Sequence, residues 1–195
     1  MDVRLHLASR IVLSFDYTGG DINALIRQMK PKDLFNRPAH QFLGKIKLVT
    51  INPEAIEWID VETEELPENA YLRGTPVLKQ LSVESFNRRV AEEKESIIAA
   101  MGDSKQVGAI NALGMATFRS GETLCVEVHM AASPGDDRGT ASIKLFQAPA
   151  LVVQREQGGI SIVNTKNIAV WQVVPGLTKA THFSVPGELR ELKRV

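Results

Sequence analysis

The chain has little of what most protein chemistry needs. Its 195 residues include one cysteine, Cys125, which excludes an internal disulfide and any metal cluster built on several cysteines of one chain. The four histidines, His6, His40, His129 and His182, contain no pair at i, i+3 or i, i+4, the spacings that bring two imidazoles to one metal. No Gly-x-Ser-x-Gly elbow and no glycine-rich phosphate loop occurs. Neither sign of charge is in excess: 23 Lys and Arg stand against 23 Asp and Glu. No global field therefore draws the chain to nucleic acid or an anionic membrane, and such binding needs a local patch. No apolar run approaches the roughly 20 residues that cross a bilayer. The opening MDVRLHLASRIVLSFDYTGG breaks its apolar residues with Asp2 and Arg4 and lacks the long apolar core of a signal peptide. These absences lead us to expect a cytoplasmic protein without cofactor, metal or membrane association.

What is present suffices for a folded core: 44% hydrophobic and 24% charged residues match ordinary globular usage. RLHLASRIVLSFDY, residues 4–17, mixes period-two alternation with β-branched and aromatic residues, which predicts one or two short strands. Asp21 then stands as an N-cap before Ile22, Leu25, Ile26 and Met29, the stripe of one buried helical face, and Pro31 closes that helix. Val83, Phe86, Val90, Ile97, Ile98 and Met101 predict a second helix over 83–101, with Ser82 as N-cap and Gly102 as stop. Between them, residues 67–82 carry Pro67, Gly74 and Pro76 with scattered charges and read as a connector. Beyond Leu113 almost everything reads as short antiparallel strand, including TLCVEVHM, ASIKLF and ALVVQRE, with SPGDDRGT as a polar hairpin loop.

One local pattern occurs twice. LVTINPEAIEWIDVE, residues 48–62, is a strand, an Asn corner and a strand; ISIVNTKNIAVWQVV, residues 160–174, places Asn164 on Asn52 and Ile168 on Ile56. Turn chemistry alone could produce both, because asparagine tolerates corner geometry. The favoured reading is duplication, with each half ending its own small barrel in this motif. It predicts comparable burial of Ile56 and Ile168, and of Asn52 and Asn164.

A helix over 83–101 followed by short bent strands and a closing pair around VNTKNIAVWQV resembles the small Sm-like β-barrel over about residues 83–175. The resemblance lies in element order. The family's Gly-plus-acidic motif is absent from TLCVEVHMAASPGDDRGT and its Arg-Gly from ISIVNTKN, so no RNA-binding residue carries over. The resemblance implies oligomers that form rings through strand edges.

The richest binding candidate is the basic set Arg27, Lys30, Lys32, Arg37, Lys45 and Lys47, with only Asp33 opposed and Phe35 and Phe42 interleaved. Such a patch could neutralise phosphates while an exposed aromatic stacks on a base for roughly 1 to 3 kcal/mol. The same charges equally suit a solvated face. Residues 48–72 hold seven Asp and Glu and no Lys or Arg, so neighbouring patches of opposite sign also suit head-to-tail contact between copies. Asp136 and Asp137 offer two carboxylates, too few for a hard cation that wants about six to eight ligands. Cys125 shares a strand face with Glu127 and His129, but His129 lies too far along the strand to act as its base. Trp58 and Trp171 fall one position apart in the repeat and should face opposite ways; an exposed one would anchor an interface.

The expected protein is mainly β, of the α+β class: two small antiparallel barrel or sandwich units with two helices. Its divisions are 1–66, a β unit with one helix; 67–82, a connector; 83–177, a helix and small barrel; and 178–195, a C-terminal tail. The expected function is a noncatalytic module for self-association into a homo-oligomer or for binding another protein. RNA binding through residues 27–47 is the alternative, and a small-molecule or enzymatic domain comes third, since no nucleophile, base or metal-ligand set emerges.

Overall fold

Apolar alternation and helical spacing set most of the elements, and their order can be followed along the chain. The protein is described as a computed structural model over residues 1–43, 47–64, 77–92, 109–131 and 138–176, with Glu95. β1 (Asp2–Leu7) and β2 (Val12–Asp16) form a hairpin, followed by α1 (Ile22–Met29), α2 (Pro31–Leu34), β3 (His40–Leu43) and β4 (Leu48–Ile51). A 3-10 turn (Pro53–Ala55) leads into β5 (Ile56–Glu62). Then come β6 (Val77–Leu81), α3 (Val83–Glu92), β7 (Ala109–Phe118), β8 (Thr123–Ala131) and α4 (Arg138–Gln147). β9 (Leu151–Gln154), β10 (Ile160–Val163), a second 3-10 turn (Thr165–Asn167) and β11 (Ile168–Val174) complete the series.

The two helix starts follow their sequence signals. Asp21 accepts from the Ala24 N–H at 2.7 Å, the stripe residues Ile22, Leu25, Ile26 and Met29 are buried, and Lys30 ends the helix in the left-handed region at φ 48°. Ser82 Oγ accepts from the Ser85 N–H at 3.1 Å at the head of α3. The stripe residues Ile97, Ile98 and Met101 lie outside the described residues.

The strands do not close into separate barrels among the described residues. They join in one nine-stranded sheet, ordered β11-β7-β8-β6-β9-β10-β5-β1-β2, with β3 and β4 as a separate pair. Two expectations are corrected here. ASIKLF is helical, within α4, because Ala141 and Leu145 at i, i+4 go into the core, leaving Ile143 and Phe146 exposed; a five-residue alternation loses to that tertiary contact. In the stretch read as a connector, Val77–Leu81 is β6, a strand in the middle of the sheet, antiparallel to β8 and parallel to β9. That parallel pair also means the sheet is mixed.

Two main cores lie along this sheet. The first gathers α1, α2, β1, β4 and β5 with Ile160 and Ile162 of β10. The second gathers β6 to β9, Leu145 of α4 and Val163 of β10. A smaller cluster of Phe86, Leu113 and Cys125 fixes α3 to the opposite face of β7 and β8.

The likeness between the halves reaches well beyond the Asn corner. β1 pairs β2 as Leu5↔Leu13, and β7 pairs β8 as Ala116↔Leu124, the same register 111 positions on. Both hairpins turn alike: Leu7 N–H donates to Ile11 O at 2.9 Å, and Phe118 N–H to Glu122 O at 2.9 Å. β3 pairs β4 as His40↔Ile51 and β9 pairs β10 as Leu151↔Val163. Asn52 and Asn164 each cap a 3-10 turn, accepting from Glu54 N–H and Lys166 N–H. β1 pairs β5 through an irregularity that leaves Glu57 unmatched, and β7 pairs β11 through one that leaves Ala169 unmatched, one extra residue at equivalent places.

Burial, however, differs between the copies, against the expectation of equal burial. Asn164 is 1% exposed whereas Asn52 is exposed, and Ile56 is 0% exposed whereas Ile168 is half-buried. The cause is the joint between the halves. β10 pairs β5 antiparallel, Ile160↔Val61 to Val163↔Trp58. The second corner is thereby driven into β5, where Asn164 Nδ2 donates to Ile56 O at 2.9 Å and Asn167 Nδ2 to the same oxygen at 2.8 Å. The equivalent pairing of β4 with β11 is not made.

Packing inside the two units is matched by compensation. Trp171 falls on Ile59 and Gly114 on Val3 in the repeat, and the indole lies over Gly114, where an added Cβ would sit 2.4 Å from it. Gly114→Ala should therefore destabilise the fold by about 1 to 3 kcal/mol, the usual cost of overpacking. Urea denaturation checks this, and adding Trp171→Ile to Gly114→Ala should recover part of the loss, a coupling that two independent sites would not show.

Candidate functional site

Unpaired strand edges are the feature most able to meet a partner. β2 and β11 end the large sheet, and each strand of the β3–β4 pair has one open side among the described residues. Near β2, Ile11 and Val12 are 53% and 49% exposed, and on β4 Leu48 is 56% exposed. Natural edges are usually blunted by charge, proline or cover. On β2 only Asp16 is charged, and β4 carries no charged residue.

Between β2 and β3 opens a cleft of about 760 Å³, lined by Phe15, Tyr17, Leu25, Arg37, His40 and Phe42 among others. Phe15 and Phe42 stack across it with ring centroids 4.2 Å apart. Arg37 caps the end of α1, donating to Gln28 O and Met29 O at 3.2 and 3.0 Å. His40 Nε2 lies 2.7 Å from Leu34 O, which assigns the ring proton to Nε2. Burial lowers the pKa of His40, its bond to the Leu34 carbonyl works the other way, and the Arg37 charge adds to the lowering. The Tyr17 hydroxyl is buried there without a hydrogen-bond partner among the described residues.

A polar cluster occupies the opposite face of β1 and β5. Asp60 accepts from Ser161 Oγ at 2.5 Å, His6 Nε2 lies 2.9 Å from its Oδ2, and Arg155 stands 3.8 Å away. Arg155 also reaches Glu62 at 2.9 Å, as does Arg4. Burial works to raise the pKa of Asp60, but hydrogen bonds from His6 and Ser161 and the Arg155 charge outweigh it, leaving the carboxyl below its ordinary 3.8. His6 stacks on Trp58 at 4.1 Å, and Trp58 meets Phe118 at 4.8 Å.

The order of groups in this cluster decides its chemistry. Ser161 is 1% exposed and hydrogen-bonds to the carboxylate, while His6 contacts the same carboxylate and not the serine. A nucleophile needs the base beside it, so this arrangement ties three strands together rather than activating a hydroxyl. A smaller cleft of about 270 Å³ beside His6, Glu57, Trp58 and Glu122 contains no Ser, Thr, Cys or Lys in its lining. No group of three His, Cys, Asp or Glu among the described residues is placed to hold a metal.

Of the basic residues singled out by sequence, Arg37 and Lys47 line the larger cleft. Arg27, Lys30 and Lys47 are exposed, Lys32 lies within α2, Arg37 serves the α1 cap, and Lys45 lies outside the described residues. Phe35 is core at 3% exposure and Phe42 is engaged by Phe15, so neither is an open stacking platform. Trp58 and Trp171 are both half-buried and both pack against the second core, against the expectation that they would face opposite ways. Asp136 and Asp137 lie outside the described residues. Cys125 is 1% exposed, and burial, with Glu84 nearby, raises its thiol pKa. His129 is engaged with Asn111 and Glu127.

Sequence reasoning missed Asp60, Ser161 and the buried Glu57. Glu57 accepts from Ser120 N–H at 2.8 Å and from Ser120 Oγ at 2.6 Å, across the joint between the halves. Each is a single polar residue in an apolar alternation, and the signal for its burial is the partner strand, which one sequence does not display. Among the described residues no helix is long and apolar enough to cross a membrane. Compared with family models, curated proteins and solved structures, the chain matches none.

Because the folded pKa of Asp60 lies below its unfolded value, the group contributes stability above pH about 4 that is lost as pH falls through the folded pKa. Stability measured by urea unfolding should therefore decline on acidification below about pH 4. In Asp60→Asn the plateau should be lower and that part of the acid limb flatter. An acid limb unchanged in Asp60→Asn would remove this carboxylate from the account.

Proposed function

We propose that the chain is a noncatalytic assembly and protein-binding module that works through its strand edges, and that copies join head to tail by adding β4 of one to β11 of the next. The observation that carries this reading is the β10–β5 pairing inside the chain. Carried through the repeat, the same joint would pair Leu48 with Val173 and Ile51 with Val170. Both strands have an open edge for it among the described residues. Asn52 is already at the position from which Asn164 reaches Ile56 O, and in the joint between copies it would reach Ile168 O of its neighbour.

The common registers and the shared bulge position support a duplicated unit as the origin of the two halves. The Sm-like resemblance belongs to the same proposal: α3, the β7–β8 hairpin and a closing pair split by a 3-10 turn follow that element order, with α4 as a departure. A contact between two different surfaces of one molecule is heterologous and closes into a ring or runs on as a filament, depending on the rotation per step. The single buried thiol of Cys125 suits a reducing, cytoplasmic setting.

Light scattering should show a mass above that of the 21.5 kDa chain, concentration-dependent and free of excess absorbance at 260 nm. Mixed under oxidation, a Leu48→Cys protein and a Val173→Cys protein should form a disulfide-linked heterodimer, while Leu48→Cys mixed with Val83→Cys should not. Asn52→Ala should weaken association while costing the isolated chain no more than a lost cap, about 1 kcal/mol. A monomer at all concentrations would sink the proposal, and a salt-releasable nucleic-acid signal would redirect it to the basic segment.

A further inference from the structure

We infer that the cleft between β2 and β3 is an acceptor slot for one extended peptide of a partner protein, with apolar residues flanking a Lys or Arg. The inference rests on the strand-edge reading above and names a specific site within it. The second unit contains the same slot already filled. There, β6 lies between β8 and β9, pairing Leu78 with Val128 and Val153, and Lys79 with Glu127 and Gln154. In the first unit the equivalent strands are β2 and β3, whose first residues, Val12 and His40, are as far apart in sequence as Thr123 and Leu151, and no strand lies between them among the described residues.

The repeat states which residues an incoming strand would meet. Cys125, Val126, Glu127 and Val128 correspond to Ser14, Phe15, Asp16 and Tyr17, and Val153 corresponds to Phe42. All five of these first-unit residues line the open cleft. The backbone is also set for an added strand. Tyr17 N–H donates to Met1 O and Leu7 N–H to Ile11 O, which puts the odd residues of β2 in hydrogen-bonded pairs with β1. By alternation Ser14 and Asp16 turn their N–H and C=O outward, toward the slot. The occupant would run antiparallel to β2, as β6 does to β8.

Charge selects the occupant further. Lys79 of β6 stands opposite Glu127, and Asp16, with its side chain 85% exposed and 3.6 Å from the Met1 ammonium, takes the place of Glu127 in the open slot, where an incoming cation would compete with that ammonium and pass Arg37 and Lys47 on the cleft wall. A peptide whose central residue is Lys or Arg would meet that carboxylate, with apolar neighbours entering beside Tyr17 and parting the Phe15–Phe42 stack that now bridges the cleft. This is recognition by strand addition, in which main-chain bonds provide affinity and alternate side chains provide specificity.

The probe is a capped, dye-labelled peptide of the sequence VLKQLSV, the chain's own residues 77–83, titrated into the full chain and followed by anisotropy. Saturable binding is expected, with amide-exchange protection at Ser14 and Asp16. Ser14→Pro, which removes an outward N–H without touching a β1 bond, should weaken it about tenfold or more. Asp16→Lys should weaken the peptide as well and restore affinity for VLEQLSV, a rescue that general misfolding would not give. Binding no tighter than that of a scrambled peptide, or unchanged by Ser14→Pro in a folded variant, would overturn the assignment. A fall in molar mass on adding peptide would overturn it too, since the slot would then already hold a second copy. Light scattering of the same samples separates the readings: peptide binding by a monomer retains the slot and rejects the β4–β11 joint, while an oligomer indifferent to peptide does the reverse.

Discussion

β10 has no solvent face, and that single constraint organises the molecule. Ile160 and Ile162 enter the first core, Val163 enters the second, and Ser161 closes onto Asp60. A strand buried on both sides cannot slip by one residue without sending its apolar set to the wrong core, so its register against β5 and β9 is firmly specified. The turn that follows delivers Asn164 and Asn167 to the start of β5, where the Ile56 carbonyl accepts an amide proton from each. Buried backbone oxygens need such partners, and here the opposite half of the chain supplies them.

The two units show how one arrangement accommodates different fillings. The second sets Trp171 above Gly114, a large residue over a small one, where the first has Ile59 and Val3 at the equivalent positions. The first leaves its outer face to a charge network around Asp60, while the second covers the corresponding face with α3 and Phe86. The units differ most in two places: β6 lies between β8 and β9 while no described strand lies between β2 and β3, and β10 pairs β5 while β4 does not pair β11.

Much of the fold was legible in the chain. Asp21 and Ser82 marked helix starts because capping is local, and the Asn corners were visible because turn chemistry is local too. What escaped was non-local. The alternation in ASIKLF suits a strand until Ala141 and Leu145 are given a core to face. VLKQL looked like linker because its neighbours Gly74 and Pro76 suggest one, and only the gap between β8 and β9 makes it a strand. The basic residues of 27–47 were plain in sequence, but whether Phe35 stood among them or beneath them was not, because burial is decided by elements distant in the chain.

The bulged residue of β5 and that of β11 also differ in chemistry. Glu57 fastens the inner joint to Ser120 by two short hydrogen bonds in a dry environment, while Ala169 occupies the corresponding place on the outer edge. Any joint formed at β11 would lack that carboxylate fastening. An assembly alternating the two would have seams of unequal strength, so stress, dilution or mild denaturant would part it between polypeptides and leave each pair of halves intact.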